Sequence, residues 1–157
     1  MRVGIGYDIH ALVKGRPLVL GGVRISHPKG LSGHSDGDVI YHAIVDALLG
    51  AAGEGDIGEH FPDTDARFKR ADSLLFIKKV REILNRRRFR IVNIDLVLLA
   101  EQPKLGPYKE KIRSNITRSL GVTLSDINVK AKTKEGFGAV GKKQAIACYA
   151  IASLEEK

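Results

Sequence analysis

The sequence predicts one compact α/β or α+β domain. Two observations carry this. Strand-like stretches, alternating or uniformly apolar, take turns along the chain with helix-like stretches whose apolar residues recur every three to four positions. The chain has 157 residues, 43% of them apolar, which is enough for one well-buried core. No internal repeat, low-complexity tract or linker divides it. No apolar run is long enough to span a bilayer. The opening MRVGIGYDIH is a strand pattern, not a signal peptide, which needs a longer apolar segment and a small-residue cleavage site.

Taken in order, Val3, Ile5 and Tyr7 alternate with small or polar residues and predict a strand. LVLGGVRI, from Leu18 to Ile25, predicts a short hairpin turning at Gly21-Gly22. KGLSGHSDGD is a loop leading into the first helix, SDGDVIYHAIVDALLG, with Ser35 as its expected cap. The buried-looking stripe of that helix combines Val39, Ala43, Ile44 and Ala47 with an imidazole, His42. Gly53 to Phe68 is a long irregular loop. A helix follows from about Asp72 to Arg88, capped by Asp72 or Ser73. FRIVNIDLVLLAE is a buried strand, rich in Ile, Val and Leu. Pro107 begins another helix, which Gly121 ends. DINVKAK is a short strand, and QAIACYAIASL fits helix or strand by pattern alone.

The net charge of +8, from 26 basic and 18 acidic residues, fits an anionic small substrate or a nucleic acid. The densest basic stretch, Lys78 to Arg90, interleaves with Ile77, Val80, Ile83 and Leu84, as on a solvated helix face. Aromatic residues for base stacking are sparse, which argues against nucleic acid. The single cysteine, Cys148, excludes an intrachain disulfide, and its apolar setting reads as core rather than nucleophile. A cytoplasmic protein is the simplest expectation.

Chemistry-bearing residues collect in four segments: 8–10, 34–46, 53–65 and 131–135. Asp8 and His10, two apart on a strand, point to one face. With His42 they make two histidines and a carboxylate, the catalytic pattern for zinc with a vacant fourth position. Asp38 and Asp46, one helical turn either side of His42, are candidates to hydrogen-bond its other ring nitrogen. Singly, each of the three ligands has an ordinary structural reading; together they point to metal. GEGDIG matches G-x-G-x-x-G but follows a helix, and Glu54 and Asp56 repel a pyrophosphate, so a dinucleotide fold is rejected. Free N–H groups at the start of the first helix, after Gly33-His34-Ser35, favour phosphate. Thr133 and Glu135 pair a hydroxyl with a carboxylate, which beside phosphate suits magnesium and alone is an exposed turn acid. A metal site beside a phosphate site supports phosphoryl chemistry without naming a substrate.

The segments GYDIHAL, LGGVRI, HSDGDVIYHAIVDALLGAAGEGDIGEHFPDTD, KRADS, AEQPKL and NVKAKTKE, in that order, resemble the 2-C-methyl-D-erythritol 2,4-cyclodiphosphate synthase family. The resemblance runs essentially from Arg2 to the C-terminus, making residues 1–157 a single domain of that kind. It implies an α/β fold of the α+β type: a four-stranded mixed sheet with helices on one face, the sheets packed around a trimer axis, and the last apolar stretch a strand. It implies a metal-dependent lyase of non-mevalonate isoprenoid biosynthesis. In that reaction the 2-phosphate of 4-diphosphocytidyl-2-C-methyl-D-erythritol 2-phosphate attacks the β-phosphorus, CMP leaves, and the cyclic diphosphate forms.

By the same resemblance, Asp8, His10 and His42 hold zinc, and Glu135 holds a second divalent cation, magnesium or manganese. His34 and Ser35 contact phosphates, and Asp36 and Asp38 help cap the first helix. Asp56, Ile57, Gly58, Phe61 and Asp63 line the methylerythritol pocket. Ala100, Pro103, Lys104 and Leu105 form the cytidine pocket, with Ala131, Lys132 and Thr133 near the diphosphate. His34, Asp56, Thr133 and Glu135 join the zinc ligands as the catalytic set. Homotrimers with active sites between subunits are implied, with no nucleic-acid or membrane partner. An isoprenoid diphosphate is a further expectation for a central cavity walled by Ile5, Tyr7 and Ala139, with Lys142 and Tyr149 where relatives often carry an arginine and an acid. Lys132-Thr133-Lys134-Glu135 replaces the usual Thr-Thr-Thr-Glu, and Gly141-Lys142-Lys143-Gln144-Ala145 the usual Gly-Arg-Gly-Glu-Gly. A zinc- and magnesium-dependent phosphohydrolase shares the metal pattern. A basic RNA-binding protein rests on charge alone.

Overall fold

The computed structural model describes residues 1–157. Strand β1 spans Arg2–Lys14. The hairpin β2 (Leu18–Leu20) and β3 (Val23–Ile25) turns at Gly21-Gly22, both at positive φ as a two-residue hairpin turn requires. Strand β4 (Lys29–Leu31) precedes helix α1 (Val39–Ala52). The expected irregular loop holds a short helix α2 (Ile57–His60) and a 3₁₀ turn at Ala66–Phe68. Helix α3 spans Leu74–Arg86 and β5 spans Phe89–Leu99. Pro107 lies in a 3₁₀ turn, Gly106–Tyr108, that runs into α4 (Lys109–Leu120), which Gly121 ends in the left-handed conformation. Strand β6 (Ile127–Lys132), helix α5 (Gly138–Gly141) and strand β7 (Ala145–Glu156) complete the chain. The final stretch, open by pattern alone, is a strand, as the resemblance implied.

The main sheet is mixed and has five strands, in the order β4-β1-β7-β5-β6, where four were expected. The fifth is β4. It lies in the stretch read as loop, and its three residues carry too little pattern to be read as a strand. Strand β7 pairs with β1 from Arg2 to Ala11, and the long β1 runs on past it, so β4 pairs antiparallel with Leu12 to Lys14. Strand β5 pairs antiparallel with β7 and parallel with β6. The β2–β3 hairpin forms a separate small sheet.

One core lies between the sheet and the helices. Ile94, Leu96, Leu98, Ile127, Val129, Ile146, Cys148, Ala150, Ala152 and Leu154 face it from the strands. Helix α1 is its centre, with Val39, Ile40, Ala43, Ile44, Val45, Ala47, Leu48 and Leu49 fully buried. Helices α3 and α4 add Ile77, Val80, Ile112 and Ile116. The opposite sheet face exposes Val3, Ile5, Tyr7, Ile9, Tyr149 and Ile151, and the Tyr7 and Tyr149 rings lie 4.5 Å apart. The basic stretch lies on and after α3, where Lys79, Arg87 and Arg90 pair with Glu82, Glu54 and Glu155. No helix is long and apolar enough to cross a membrane.

Helix α1 reaches the sheet closely because β1 offers glycines opposite it. A Cβ added at Gly4 would lie 2.1 Å from the Ala47 carbonyl oxygen, and one at Gly6 2.0 Å from that of Ala43. No side chain can yield, since the clash is with helix backbone. Gly6→Ala should therefore cost roughly 2–3 kcal/mol of stability in urea unfolding, as overpacking does. At Gly106, where a Cβ meets nothing within 4 Å, the same change should move stability by less than about 0.5 kcal/mol. Equal effects at the two positions would contradict the close packing.

Candidate metal centre

The face of β1 that carries Gly4 and Gly6 continues into Asp8 and His10. Strand period two keeps these four residues on the side of α1. The helix lays Ala43 and Ala47 over the glycines, and His42, one residue before Ala43, falls beside the carboxylate. Asp8 Oδ2 lies 2.8 Å from His10 Nε2 and 2.9 Å from His42 Nδ1, and the two ring nitrogens are 3.2 Å apart. The three potential ligand atoms lie within 4.8 Å of one another, and all three residues are half-buried. Two imidazole nitrogens and one carboxylate oxygen converging on one point are a donor set that fits a divalent metal of the zinc type. Burial alone would raise the Asp8 carboxyl; hydrogen bonds from His10 and His42, with their charge, outweigh it and hold the group well below the usual carboxylate range. Asp8 is thus an anionic ligand at neutral pH.

The centre opens into a cavity of about 540 Å³. Of the residues expected at the site, His10, His34, Ser35, His42, Ile57, Gly58, Phe61 and Asp63 line it. Phe68 and Phe76 form an aromatic wall with Phe61, the Phe61 and Phe76 rings stacking at 4.4 Å. Neither carries a signal in the sequence, since nothing in their spacing separates a cavity wall from core. Asp56 is exposed and caps α2 by accepting from the Glu59 N–H at 2.9 Å; it does not line the cavity.

Three local expectations are corrected. First, of the caps expected for α1, Ser35 does not serve and Asp38 does: its fully buried carboxylate accepts from the N–H groups of Ile40 and Tyr41 at 3.1 and 3.3 Å. The N-terminal amides expected to hold phosphate are therefore already taken by an internal anion. Second, the Asp38 carboxylate makes no hydrogen bond to the His42 ring; its oxygens also accept from Gly21 and Gly22 at 2.9 and 2.7 Å, tying the hairpin to the helix. Third, Asp46 accepts from the Ile57 N–H at 3.1 Å and positions α2 instead. The second nitrogen of His42 meets two serines: Nε2 lies 3.0 Å from Ser35 Oγ and 2.9 Å from Ser73 Oγ. Ser73, expected as a cap for α3, starts that helix without a side-chain capping bond, while Asp72 accepts from the Leu74 N–H.

The remaining expected residues gather elsewhere, at the adjoining ends of β5 and β6. Leu98 pairs with Ala131, and the Ala100 N–H donates to the Lys132 carbonyl at 3.0 Å. Ala100 and Leu105 are buried; Lys132, Thr133 and Glu135 are exposed. Thr133 donates to Glu135, which has a positive φ of 50°, and Glu101 braces the turn by accepting from the Lys134 N–H at 2.6 Å. Asp8, Cys148, Leu98 and Ala131 form one row across the sheet. Two to three strand spacings, roughly 10–14 Å, therefore separate the metal cluster from this second group.

The fold and cluster define an α+β enzyme domain with three potential metal ligands beside an open cavity. A family model described as the YgbB family matches residues 1–155. The chain is 54% identical over 157 residues to the 2-C-methyl-D-erythritol 2,4-cyclodiphosphate synthase of Desulfosudis oleivorans, covering 100% of this chain and 94% of that protein. It is 53% identical to the synthase of Syntrophobacter fumaroxidans, covering 98% and 97% of the two chains. Among solved structures, the bifunctional IspDF from Campylobacter jejuni matches 99% of this chain at 42% identity and a TM-score of 0.95; this chain spans 42% of that longer protein. The IspF of Plasmodium falciparum, as a CDP complex, matches at 39% identity and a TM-score of 0.87 over 99% and 96% of the two chains. The chain belongs to the YgbB family, and with it to the cyclodiphosphate synthases of isoprenoid biosynthesis.

Asp38→Ala removes the acceptor for four N–H groups, in the hairpin and in the first turn of α1. It should lower stability by about 3 kcal/mol or more in urea unfolding, since buried donors are left unpaired. Asp38→Asn, which keeps one acceptor oxygen, should lose less. A loss below about 1 kcal/mol for the alanine variant would contradict this assignment.

Proposed function

We propose that the protein converts 4-diphosphocytidyl-2-C-methyl-D-erythritol 2-phosphate to 2-C-methyl-D-erythritol 2,4-cyclodiphosphate and CMP. The observation that carries this reading is the Asp8–His10–His42 cluster opening into its cavity, in a chain of this family. Zinc bound by those three residues would supply a Lewis acid that neutralises phosphoryl oxygens. His34 and Ser35, beside the cluster, donate to the phosphates. Ile57, Gly58, Phe61 and Asp63 enclose the polyol, and Asp56 fixes α2, which carries two of these residues. Ala100, Pro103, Lys104 and Leu105 take the cytidine of a cytidine diphosphate-linked substrate, as the bound CDP in the Plasmodium relative supports. Ala131, Lys132 and Thr133 hold its diphosphate, and Glu135 a second divalent cation, magnesium or manganese.

Holding cytidine and polyol at opposite ends folds the substrate on itself. The 2-phosphate oxygen then bonds to the β-phosphorus as the bond from that phosphorus to the CMP oxygen breaks, with CMP taking the electron pair. The acceleration comes from proximity and from charge neutralisation, and no side-chain nucleophile takes part. A phosphohydrolase needs a positioned water and a free path for phosphate; the named relatives are synthases and support the cyclisation instead.

The same reading makes the protein a homotrimer in the cytoplasm. Two features of the chain support assembly. The metal cluster lies roughly 10–14 Å from the cytidine and diphosphate groups on one protomer, a gap that is closed if each active site joins one subunit's cluster to its neighbour's cytidine group. The bare sheet face with Val3, Ile5, Tyr7, Ile9, Tyr149 and Ile151 needs a cover. Around the threefold axis, Ile5, Tyr7 and Ala139 with Lys142 and Tyr149 would wall a cavity for an isoprenoid diphosphate.

Phosphorus NMR tests the reaction. With zinc and magnesium present, CMP and cyclic diphosphate should form in equal amounts; a linear diphosphate or free phosphate as main product would favour the hydrolase. Elemental analysis tests the metal. One zinc per chain is expected, and its loss in a folded His42→Ala variant, whereas full occupancy there would overturn the ligand assignment. Light scattering at micromolar concentration should give about three times 17.1 kDa, and a monomer would contradict the shared site.

A further inference from the structure

We propose that Ser73 and Asp36 form a hydrogen-bond chain behind the metal centre that sets the tautomer of His42 and tightens its grip on the metal. The inference rests on the metal reading of Asp8, His10 and His42, and not on the identity of the reaction.

The chain runs from His42 Nε2 to Ser73 Oγ, at 2.9 Å, and from Ser73 Oγ to Asp36 Oδ1, at 2.5 Å. Ser73 is fully buried although it is polar. Its hydroxyl has a single proton, and a carboxylate oxygen only accepts. The proton of Ser73 is therefore committed to Asp36, and its lone pair faces His42. The ring must carry its own proton on Nε2 to use that lone pair. Ser35 Oγ, 3.0 Å from the same nitrogen, accepts a share of the same proton. A metal at the point shared with Asp8 Oδ2 and His10 Nε2 would replace the proton that Nδ1 donates to Asp8, freeing the Nδ1 lone pair for the metal while Nε2–H stays on the serines. A metal needs an imidazole in just this state, and outer partners of this kind fix ring orientation and raise ligand basicity.

The carboxylate end of the chain is itself anchored. Asp36 Oδ2 accepts from the Ser73 N–H at 3.0 Å, and Oδ1 also accepts from the Asp38 N–H at 3.0 Å. The Asp36 N–H donates to the Ala71 carbonyl at 3.1 Å. The start of α3 and the loop before α1 are thus clamped together, with the serine hydroxyl held between carboxylate and imidazole. Helix capping does not account for that hydroxyl, because Ser73 makes no side-chain capping bond. Nor does apolar packing, which would favour a methyl group at a fully buried position.

Zinc affinity of the full-length protein, measured by competition with a chromophoric chelator, tests the chain without substrate. Ser73→Ala should weaken zinc binding about tenfold or more, toward the range seen when outer partners of metal ligands are removed. Ser73→Thr, which keeps the hydroxyl, should stay within about threefold of the parent. Asp36→Asn, which keeps an acceptor oxygen but removes the charge, should fall between them. Cobalt(II) substituted for zinc should show a shifted visible absorption in Ser73→Ala, reporting a displaced imidazole. A Ser73→Ala protein that melts earlier yet binds zinc within twofold of the parent would reduce Ser73 to a packing residue and overturn the proposal. If Ser73→Ala does not fold, an unchanged zinc affinity in Asp36→Asn overturns it. An unsubstituted protein that binds no zinc would instead overturn the metal reading, and the chain with it. A phosphohydrolase product alongside weakened zinc binding in Ser73→Ala would overturn the cyclase reading and leave the chain standing.

Discussion

The contact between α1 and the glycine face of β1 is the constraint on which the rest of the molecule depends. Gly4 and Gly6 let the backbone of Ala43 and Ala47 approach to where any Cβ would collide. That approach lets an apolar helix, buried on almost every side, deliver one imidazole to the strand residues that follow the glycines. The same face of β1 that is empty at positions 4 and 6 is chemical at positions 8 and 10. Packing and function are therefore one arrangement read along one strand, and a helix held a few ångströms further out would leave Asp8 and His10 without their third partner.

Around this contact, buried polar groups hold the helix start rather than take part in chemistry. The Asp38 carboxyl is raised to about 6, chiefly by burial and secondarily by Asp36, while the Gly21 and Gly22 N–H groups oppose the rise. It spends its oxygens on the hairpin and the first turn of α1. Tyr41, pushed up to about 12 by burial, stays protonated and bonds Ser119 at 2.7 Å. Asn115 closes the tie by donating to the Gly21 carbonyl at 2.7 Å. Hairpin, α1 and α4 are thereby fixed relative to one another, and the loop carrying His34 and Ser35 inherits a fixed anchor. Arg16 adds to it by donating to the Gly33 and Ser35 carbonyls.

Strands with strong patterns and the glycine-turned hairpin were legible in the sequence because their signals are local. The Asp8–His10 pair was legible because period two is a property of one strand. His42 stood out because an imidazole breaks an apolar stripe. What failed to show is instead set by partners distant in sequence. Strand β4 exists only because β1 outruns β7. Ser35 and Asp38 compete for the same cap, and the winner depends on a hairpin some sixteen residues upstream, at Gly21 and Gly22. The role of Ser73 depends on Asp36 and His42, more than thirty residues away in each case. The pattern of one helix says nothing about whether Phe76 faces a core or a cavity.

The central claim is that this packing builds a metal centre in which His42 binds through Nδ1 because Ser73 and Ser35 hold Nε2. Anomalous diffraction at the zinc edge, on crystals of the zinc-loaded protein, tests it most directly. The account predicts one strong peak per chain at about 2.0–2.2 Å from His10 Nε2, His42 Nδ1 and an Asp8 carboxylate oxygen, with Ser73 still bonded to Nε2. A peak bound through His42 Nε2, with the ring flipped, or a peak away from all three residues, would contradict it.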